Sequence, residues 1–239
     1  MKKVVLTYYY TGLYDGVHHK RFSEAKTSDF DTLLNSVKDR GYDFVTLANE
    51  LEVNTKDWKT YKIKKPDDMS LYVYKFIACY DWLLLHPEYR EIWIVDSTDT
   101  EMLGTPKPRE GYVYTGYDAF FPAFNCYSTM LWFLGGDMDG VCVPQGFGRG
   151  SRHGDFEVRY LKDLHKWDIP YNCGVFGGKR EAVMEFLKDY ARRLRKNDLD
   201  LEMVPFNYLC YTKYAGKVRV CTTRMTMGEK DYDKWWRHK

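Results

Sequence analysis

Two carboxylates follow the most strand-like stretch of the chain. In "EIWIVDSTDTEML", Glu91 to Leu103, the apolar run Ile92, Trp93, Ile94, Val95 leads into Asp96 and Asp99, with Ser97 and Thr98 between them. Ligands of α/β sheets gather beyond the carboxyl ends of strands. Two acids in such a place repel each other unless something positive sits between them. The hydroxyls of Ser97, Thr98 and Thr100 add oxygen donors. This combination suits Mn²⁺ or Mg²⁺, hard cations that take one or two protein carboxylates and complete their shell with phosphate oxygens and water. The plain structural alternative is that Asp96 caps the strand and Asp99 caps a turn.

Other residue types narrow the chemistry. The six cysteines (Cys79, Cys126, Cys142, Cys173, Cys210 and Cys221) form no Cys-x-x-Cys pair, which argues against a zinc knuckle. Several lie in apolar stretches, where a thiol acts as a small hydrophobe. The charge of +2, from 36 basic and 34 acidic residues, is not that of a strong nonspecific nucleic-acid binder. The aromatic fraction of 17%, with 21 Tyr, exceeds what a core needs and fits a carbohydrate or nucleotide binder. Phosphatases of the haloacid-dehalogenase type also place acids after a strand, but two apart and near the N-terminus. Here they are three apart and in mid-chain, which demotes that reading.

The elements that position these residues read as α/β. "KVVLTYYY" (Lys3 to Tyr10) is a first strand. "DFDTLLNSVKDRGY" is a helix capped by Ser28 or Asp29 and stopped by Gly41, and "DFVTLAN" (Asp43 to Asn49) is a second strand. "TKDWKTYKIKKPDD" reads as a charged mobile loop, "SLYVYKFIACYDWLLLHPEY" as a long helix ending near His86-Pro87, and "EGYVYTGYD" as a strand. "PAFNCYSTMLWFL" is ambiguous, "GVCVPQ" a short strand, and "GFGRGSRHGD" a flexible loop. "YNCGVFGG" is a strand ending in glycines. "KREAVMEFLKDYARRLRK" is an amphipathic helix with Ala182, Val183, Phe186, Leu187, Tyr190 and Leu194 on one face. A helix over "EMVPFNYLCYTKY" and a strand over "KVRVCTT" follow. The expectation is one domain over 1–239. The apolar run of "MKKVVLTYYY" is too short for a signal peptide, and no segment approaches the ~20 apolar residues of a membrane span. A soluble protein of a reducing compartment is expected.

Four blocks in order resemble the GT-A class of glycosyltransferases, most nearly its small bacterial and phage-type members. "IWIVDSTDTEML" stands in the place of that class's Asp-x-Asp motif. "YNCGVFGGKREAVMEFL" resembles its strand, glycine loop and helix that contact donor sugar and acceptor. "LEMVPFNYL" resembles its active-site acid at a helix start, and "WWRHK" the late histidine that completes its metal site. The acid spacing departs from the class, three residues in place of two.

The resemblance implies a Rossmann-like GT-A domain with a central mixed sheet flanked by helices. About 1–104 would bind nucleotide and about 105–239 would hold sugar and acceptor. It implies Mn²⁺ or Mg²⁺ on Asp99, with Asp96 in support directly, through water or at the ribose, and His238 as the third ligand. It implies Glu202 as the catalytic carboxylate, with Asp200 and Asp198 as close rivals. Lys75 would face the diphosphate, and Lys239, Arg237 or Lys230 would screen it. Tyr8, Tyr9 or Tyr10 would stack on the base. Asn172 can hydrogen-bond a sugar hydroxyl, while Gly174, Gly177 and Gly178 let a ligand approach the backbone. Trp235 and Trp236 would pin the tail over the site as a lid. Each has a plainer reading: a helix-dipole acid for Glu202, a snorkelling lysine for Lys75, a frayed tail for His238. The remaining histidines read as loop or surface residues.

The expected activity is transfer of a sugar from a nucleoside-diphosphate sugar, UDP-linked by preference, to an acceptor hydroxyl. The acceptor is a glycan, a protein or a hydroxymethylated base of phage DNA; Arg149, Arg152 and the Arg192 to Lys196 stretch could supply basic surface for the last. The expected location is the cytoplasm of a bacterial cell or phage-infected host. The rivals are a non-catalytic glycan- or nucleotide-binding module on the same fold and a sugar-phosphate nucleotidyltransferase. The second normally has a glycine- and arginine-rich loop after its first strand, a pattern "TYYYTGLYDG" lacks.

Overall fold

A computed structural model describes residues 1–12, 14–15, 20–21, 24–117, 160, 168, 170–196, 202–223 and 234–238. The strands are β1 (Lys2–Tyr9), β2 (Tyr14–Asp15), β3 (Lys20–Arg21), β4 (Asp43–Ala48), β5 (Trp58–Lys62), β6 (Tyr89–Val95), β7 (Thr100–Met102), β8 (Val113–Tyr117), β9 (Tyr171–Lys179), β10 (Val218–Val220), β11 (Thr222–Thr223) and β12 (Trp236–His238). The helices are α1 (Asp31–Val37), α2 (Leu71–Leu85), α3 (Arg180–Lys196) and α4 (Met203–Tyr211). "PAFNCYSTMLWFL", "GVCVPQ" and "GFGRGSRHGD" lie outside the described residues.

A seven-stranded mixed sheet runs β10-β8-β9-β6-β1-β4-β5. Within it β5, β4, β1 and β6 are mutually parallel, and β9 is antiparallel to both β6 and β8. The strand order therefore reverses at β1, between β4 and β6, which is the switch point where open α/β sheets take their ligands. Strands from both expected halves, before and after residue 104, share this one sheet. Among the described residues, no helix is long and apolar enough to cross a membrane.

Alternation along β1 shows how the sheet is covered. Val4, Leu6 and Tyr8 face one core with α2, α3 and α4, while Val5 and Tyr9 face another with α1 and the small sheet β11-β12-β7. The expected face of α3 packs into the first core: Val183, Phe186, Leu187, Tyr190 and Leu194 are fully buried there. Ser70 caps α2 by accepting from Val73 N at 3.3 Å. At its other end Arg180 donates to the carbonyls of Leu83, His86 and Tyr89, so α3 covers the last turn of α2.

Two local expectations are corrected. Neither Ser28 nor Asp29 caps α1; a 3₁₀ turn, Thr27–Phe30, precedes it, and the Asp29 carboxylate accepts from Tyr9 Oη at 2.5 Å. The charged segment after β4 is not a loop throughout. Trp58 is buried on Phe30 and Phe44, and Trp58 Nε1 donates to Thr46 at 3.0 Å. One buried tryptophan thus anchors the edge strand β5, and its exposed Lys59 and Lys62 blunt the edge against strand addition.

Candidate metal and carboxylate site

The apolar run of β6 ends at Val95, and Asp96 follows at the carboxyl edge of the sheet. Its backbone is fixed on both sides: Asp96 N donates to Gly174 O at 2.8 Å, and Thr100 Oγ1 donates to Asp96 O at 2.5 Å. The second bond closes the turn that carries Asp99. β7 then begins and pairs antiparallel with β12, with His238 opposite Thr100 and Trp236 opposite Met102. This register sets the penultimate residue beside the acid turn. His238 Nε2 lies 3.2 Å from Asp96 Oδ2 and 3.5 Å from Asp99 Oδ2. One ligand atom from each of Asp96, Asp99 and His238 lies within 4.8 Å of the others.

β9 meets this cluster through a break in register. Gly116 of β8 pairs with Asn172, whereas Thr115 pairs with Phe176, so Cys173, Gly174 and Val175 bulge away from β8. Bulges of this kind re-aim side chains beside functional sites. Asn172 Oδ1 accepts from Gly174 N at 2.7 Å and stiffens the bulge. A Cβ on Gly174 would lie 2.3 Å from the His238 ring and 2.6 Å from Asp96 Oδ2. Only glycine leaves room for the histidine.

Lys75 reaches Asp96 from α2 and forms an ion pair with Oδ1. Burial disfavours its charge, but Asp96 more than restores it and holds the ammonium above its ordinary range. Burial pushes the Asp96 carboxyl up, and Lys75 and His238 pull it below the usual range. Burial likewise works against the His238 imidazolium, yet Asp96 and Asp99 raise it to about 9. Without a metal, Lys75 and His238 thus neutralise the two acids.

Glu202 sits just before α4, and Tyr190 Oη donates to its carbonyl at 2.6 Å. Cys173 Sγ contacts Glu202 Oε1 at 3.8 Å, while Glu202 Oε2 is buried with no hydrogen-bond partner among the described residues. Burial raises this carboxyl to about 7, with Lys75 opposing and Asp96 adding to the shift. The donor set fits a divalent cation: two carboxylates and an imidazole, converging from β6, the following turn and β12, suit Mn²⁺ somewhat better than Mg²⁺.

Several expected roles change. The missing side chain of Gly177 makes room for core packing, since a Cβ there would lie 2.4 Å from both Ile92 O and the Trp93 ring. Gly178 has φ 145° and lies against Tyr112. Tyr9 is buried on Phe30 with its hydroxyl on Asp29, so its ring faces the core and not a base. Tyr8, on the opposite face, stacks on half-buried Tyr10 at 6.1 Å, and its hydroxyl is buried without a partner among the described residues. Lys75 is turned onto Asp96 and not outward. Arg237 donates to Glu101 at 2.6 Å. The two tryptophans pin the tail beside the site: Trp236 is fully buried on Trp93 within β12, and half-buried Trp235 packs on Trp93 and Tyr114. Asp198, Asp200, Lys230 and Lys239 lie outside the described residues.

Asn207 has a role that the sequence pattern does not assign to it. Asn207 is fully buried and holds Tyr171 at both backbone groups, with bonds of 2.7 and 2.9 Å. A lone amide inside the apolar run "MVPFNYLCY" was the signal. No protein-family model matches this chain, and no curated protein matches it.

Proposed function

We propose that the chain is a metal-dependent glycosyltransferase of the GT-A class, taking a sugar from a nucleoside-diphosphate sugar and passing it to an acceptor hydroxyl. The observation that carries this reading is the convergence of Asp96, Asp99 and His238 at one strand end, beside the switch point of the sheet and within the same site as the raised carboxyl of Glu202. Four sequence blocks spread over more than a hundred residues supply these groups and their supports. A binding module needs no buried carboxyl poised near pH 7; a catalyst that moves a proton does.

Asp99, Asp96 and His238 would hold the cation, which when bound neutralises charge on the diphosphate leaving group. The nucleotide lies across the ends of β1, β4 and β6. There Asn49 bonds both backbone groups of Thr11, at 2.9 and 3.1 Å, and fixes the rim. Lys75 holds Asp96 in place for its ligand role. Glu202 takes the proton of the acceptor hydroxyl as the new glycosidic bond forms. The electron pair of the breaking bond leaves with the diphosphate. UDP is the first nucleotide to test, a preference that rests on the resemblance alone.

A thermal-shift screen of UDP-, GDP- and TDP-sugars with and without Mn²⁺ tests the reading. One nucleotide class is expected to stabilise the protein only with the metal; stabilisation that ignores Mn²⁺ would argue for a plain nucleotide binder. Gly174→Ala probes the site more finely. Its methyl group displaces the His238 ring, and Mn²⁺ affinity by calorimetry is expected to fall at least about tenfold. Unaltered affinity would remove His238 from the ligand set.

A further inference from the structure

The buried apolar face of α3 carries one hydroxyl. Tyr190 is fully buried, and its ring packs on Phe76, Phe186 and Phe206 at 5.1, 5.8 and 5.6 Å. A fourth phenylalanine would fill this cluster without taking a polar group out of water. The hydroxyl has a specific target, since it donates to Glu202 O at 2.6 Å. The backbone does not depend on that bond. Phe206 N already donates to the same carbonyl, at 3.2 Å, as α4 begins. What the hydroxyl adds is a tie from α3 to the residue that enters α4.

A second buried group grips the same turn from β9. β6 stops opposite Val175, so Tyr171 lies beyond its reach. There the Asn207 amide takes the place of a neighbouring strand, accepting from Tyr171 N at 2.7 Å and donating to Tyr171 O at 2.9 Å. The same amide donates to Met203 O at 3.0 Å, one residue after Glu202. At the bulge, Cys173 Sγ lies 3.2 Å from Met203 Sδ and 3.8 Å from Glu202 Oε1. The Glu202 side chain makes no capping bond to α4, so local capping does not set its direction. Its backbone is instead held from two sides, by α3 at its carbonyl and by β9 through the next residue.

We propose that Tyr190 is a positioning residue for Glu202: its hydroxyl, working with the Asn207 amide, sets where the Glu202 carboxylate stands against the bulge of β9. This deepens the transferase reading, in which Glu202 takes the acceptor proton, and rests on that reading for its effect on rate. Tyr190→Phe removes one oxygen and leaves the aromatic cluster filled. It also leaves the local charges as they are. Among the described residues, the charged and titratable groups that act on Glu202 are Lys75 of α2, Asp96 after β6 and Cys173 of β9. Burial keeps the Tyr190 phenol itself neutral. A changed titration of Glu202 in this variant therefore reports a changed position.

The test is carboxyl ¹³C NMR titration of the metal-free wild type and Tyr190→Phe, with the Glu202 signal assigned by its loss in Glu202→Gln. The wild-type carboxyl is expected to titrate at about 7. In Tyr190→Phe it should ionise at least about tenfold more readily, as the loosened carboxylate gains water. With donor and acceptor at saturation, Tyr190→Phe should transfer about 10- to 100-fold more slowly, with Mn²⁺ affinity unchanged. In the Glu202→Gln background it should cost nothing further, because the hydroxyl acts only through Glu202. A moved titration in a protein that turns over no nucleotide sugar would end the transferase reading and leave the positioning role standing. An unmoved titration would overturn the inference, and so would a rate loss that Tyr190→Phe repeats in full in the Glu202→Gln background.

Discussion

Asp99→Ala is expected to abolish the proposed Mn²⁺-dependent binding of the nucleotide, the largest binding effect expected of any single substitution in the chain. The metal would lose one of three protein ligands, and of the remaining two Asp96 is already engaged by Lys75. Loss of a mere supporting group costs about 10- to 100-fold in metal affinity, so loss of a direct ligand is expected to exceed about 100-fold. The fold should survive, because the turn is closed by the Thr100 hydroxyl on Asp96 O and by the pairing of β7 with β12, neither of which needs the Asp99 carboxylate. Calorimetric titration of UDP with and without Mn²⁺ measures it. Equal UDP affinity in wild type and variant under Mn²⁺ would remove Asp99 from the site.

Glu202→Gln produces the largest expected effect on chemistry. A glutamine has the same shape but cannot take a proton, so transfer should slow by about 10² to 10⁴-fold while donor binding holds. The same substitution should change stability in the opposite sense. The folded carboxyl titrates at about 7, above its ordinary value, because burial disfavours its charge. A raised carboxyl contributes stability below its unfolded pKa of about 4.3 and loses it as pH rises through about 7. At pH 8 the metal-free wild type carries a buried charge that the glutamine variant lacks. The variant is expected to be more stable there by roughly 3 to 4 kcal/mol, the shift from about 4.3 to about 7 at 1.36 kcal/mol per unit, and the gain should vanish near pH 4. Denaturant unfolding at both pH values reads this directly. A variant that transfers sugar at the wild-type rate would send the base role elsewhere.

What could be read before the structure was whatever local pattern determines. The run Ile92 to Val95 announces a central strand because four apolar residues in sequence suit a strand buried on both faces. α3 was legible from its apolar stripe. Trp58 was hidden because its neighbours are lysines and an aspartate: the anchoring of β5 depends on Phe30 and Phe44, which are distant in sequence. The site was legible as a set of residue types. Lys75, Asp96, Gly174, Glu202 and His238 stand out in the sequence by type and position, and the fold brings them to one end of β6. Their mutual roles were not legible. Gly174 looked like room for a ligand and is room for His238. Lys75 looked like a phosphate contact and is the counter-charge of Asp96. Such reversals come from which atom lies within 3 Å of which, and that is set by the β9 bulge and the β7–β12 register. Neither leaves a periodic trace in the chain.

The most direct test is release of nucleoside diphosphate from a panel of nucleotide sugars, followed by ³¹P NMR. Slow release from one donor in Mn²⁺, abolished by EDTA and by Asp99→Ala and accelerated by an acceptor hydroxyl, is the predicted result. A donor that is bound and turned over equally in EDTA, or no turnover of any nucleotide sugar by a folded, Mn²⁺-loaded protein, would contradict it.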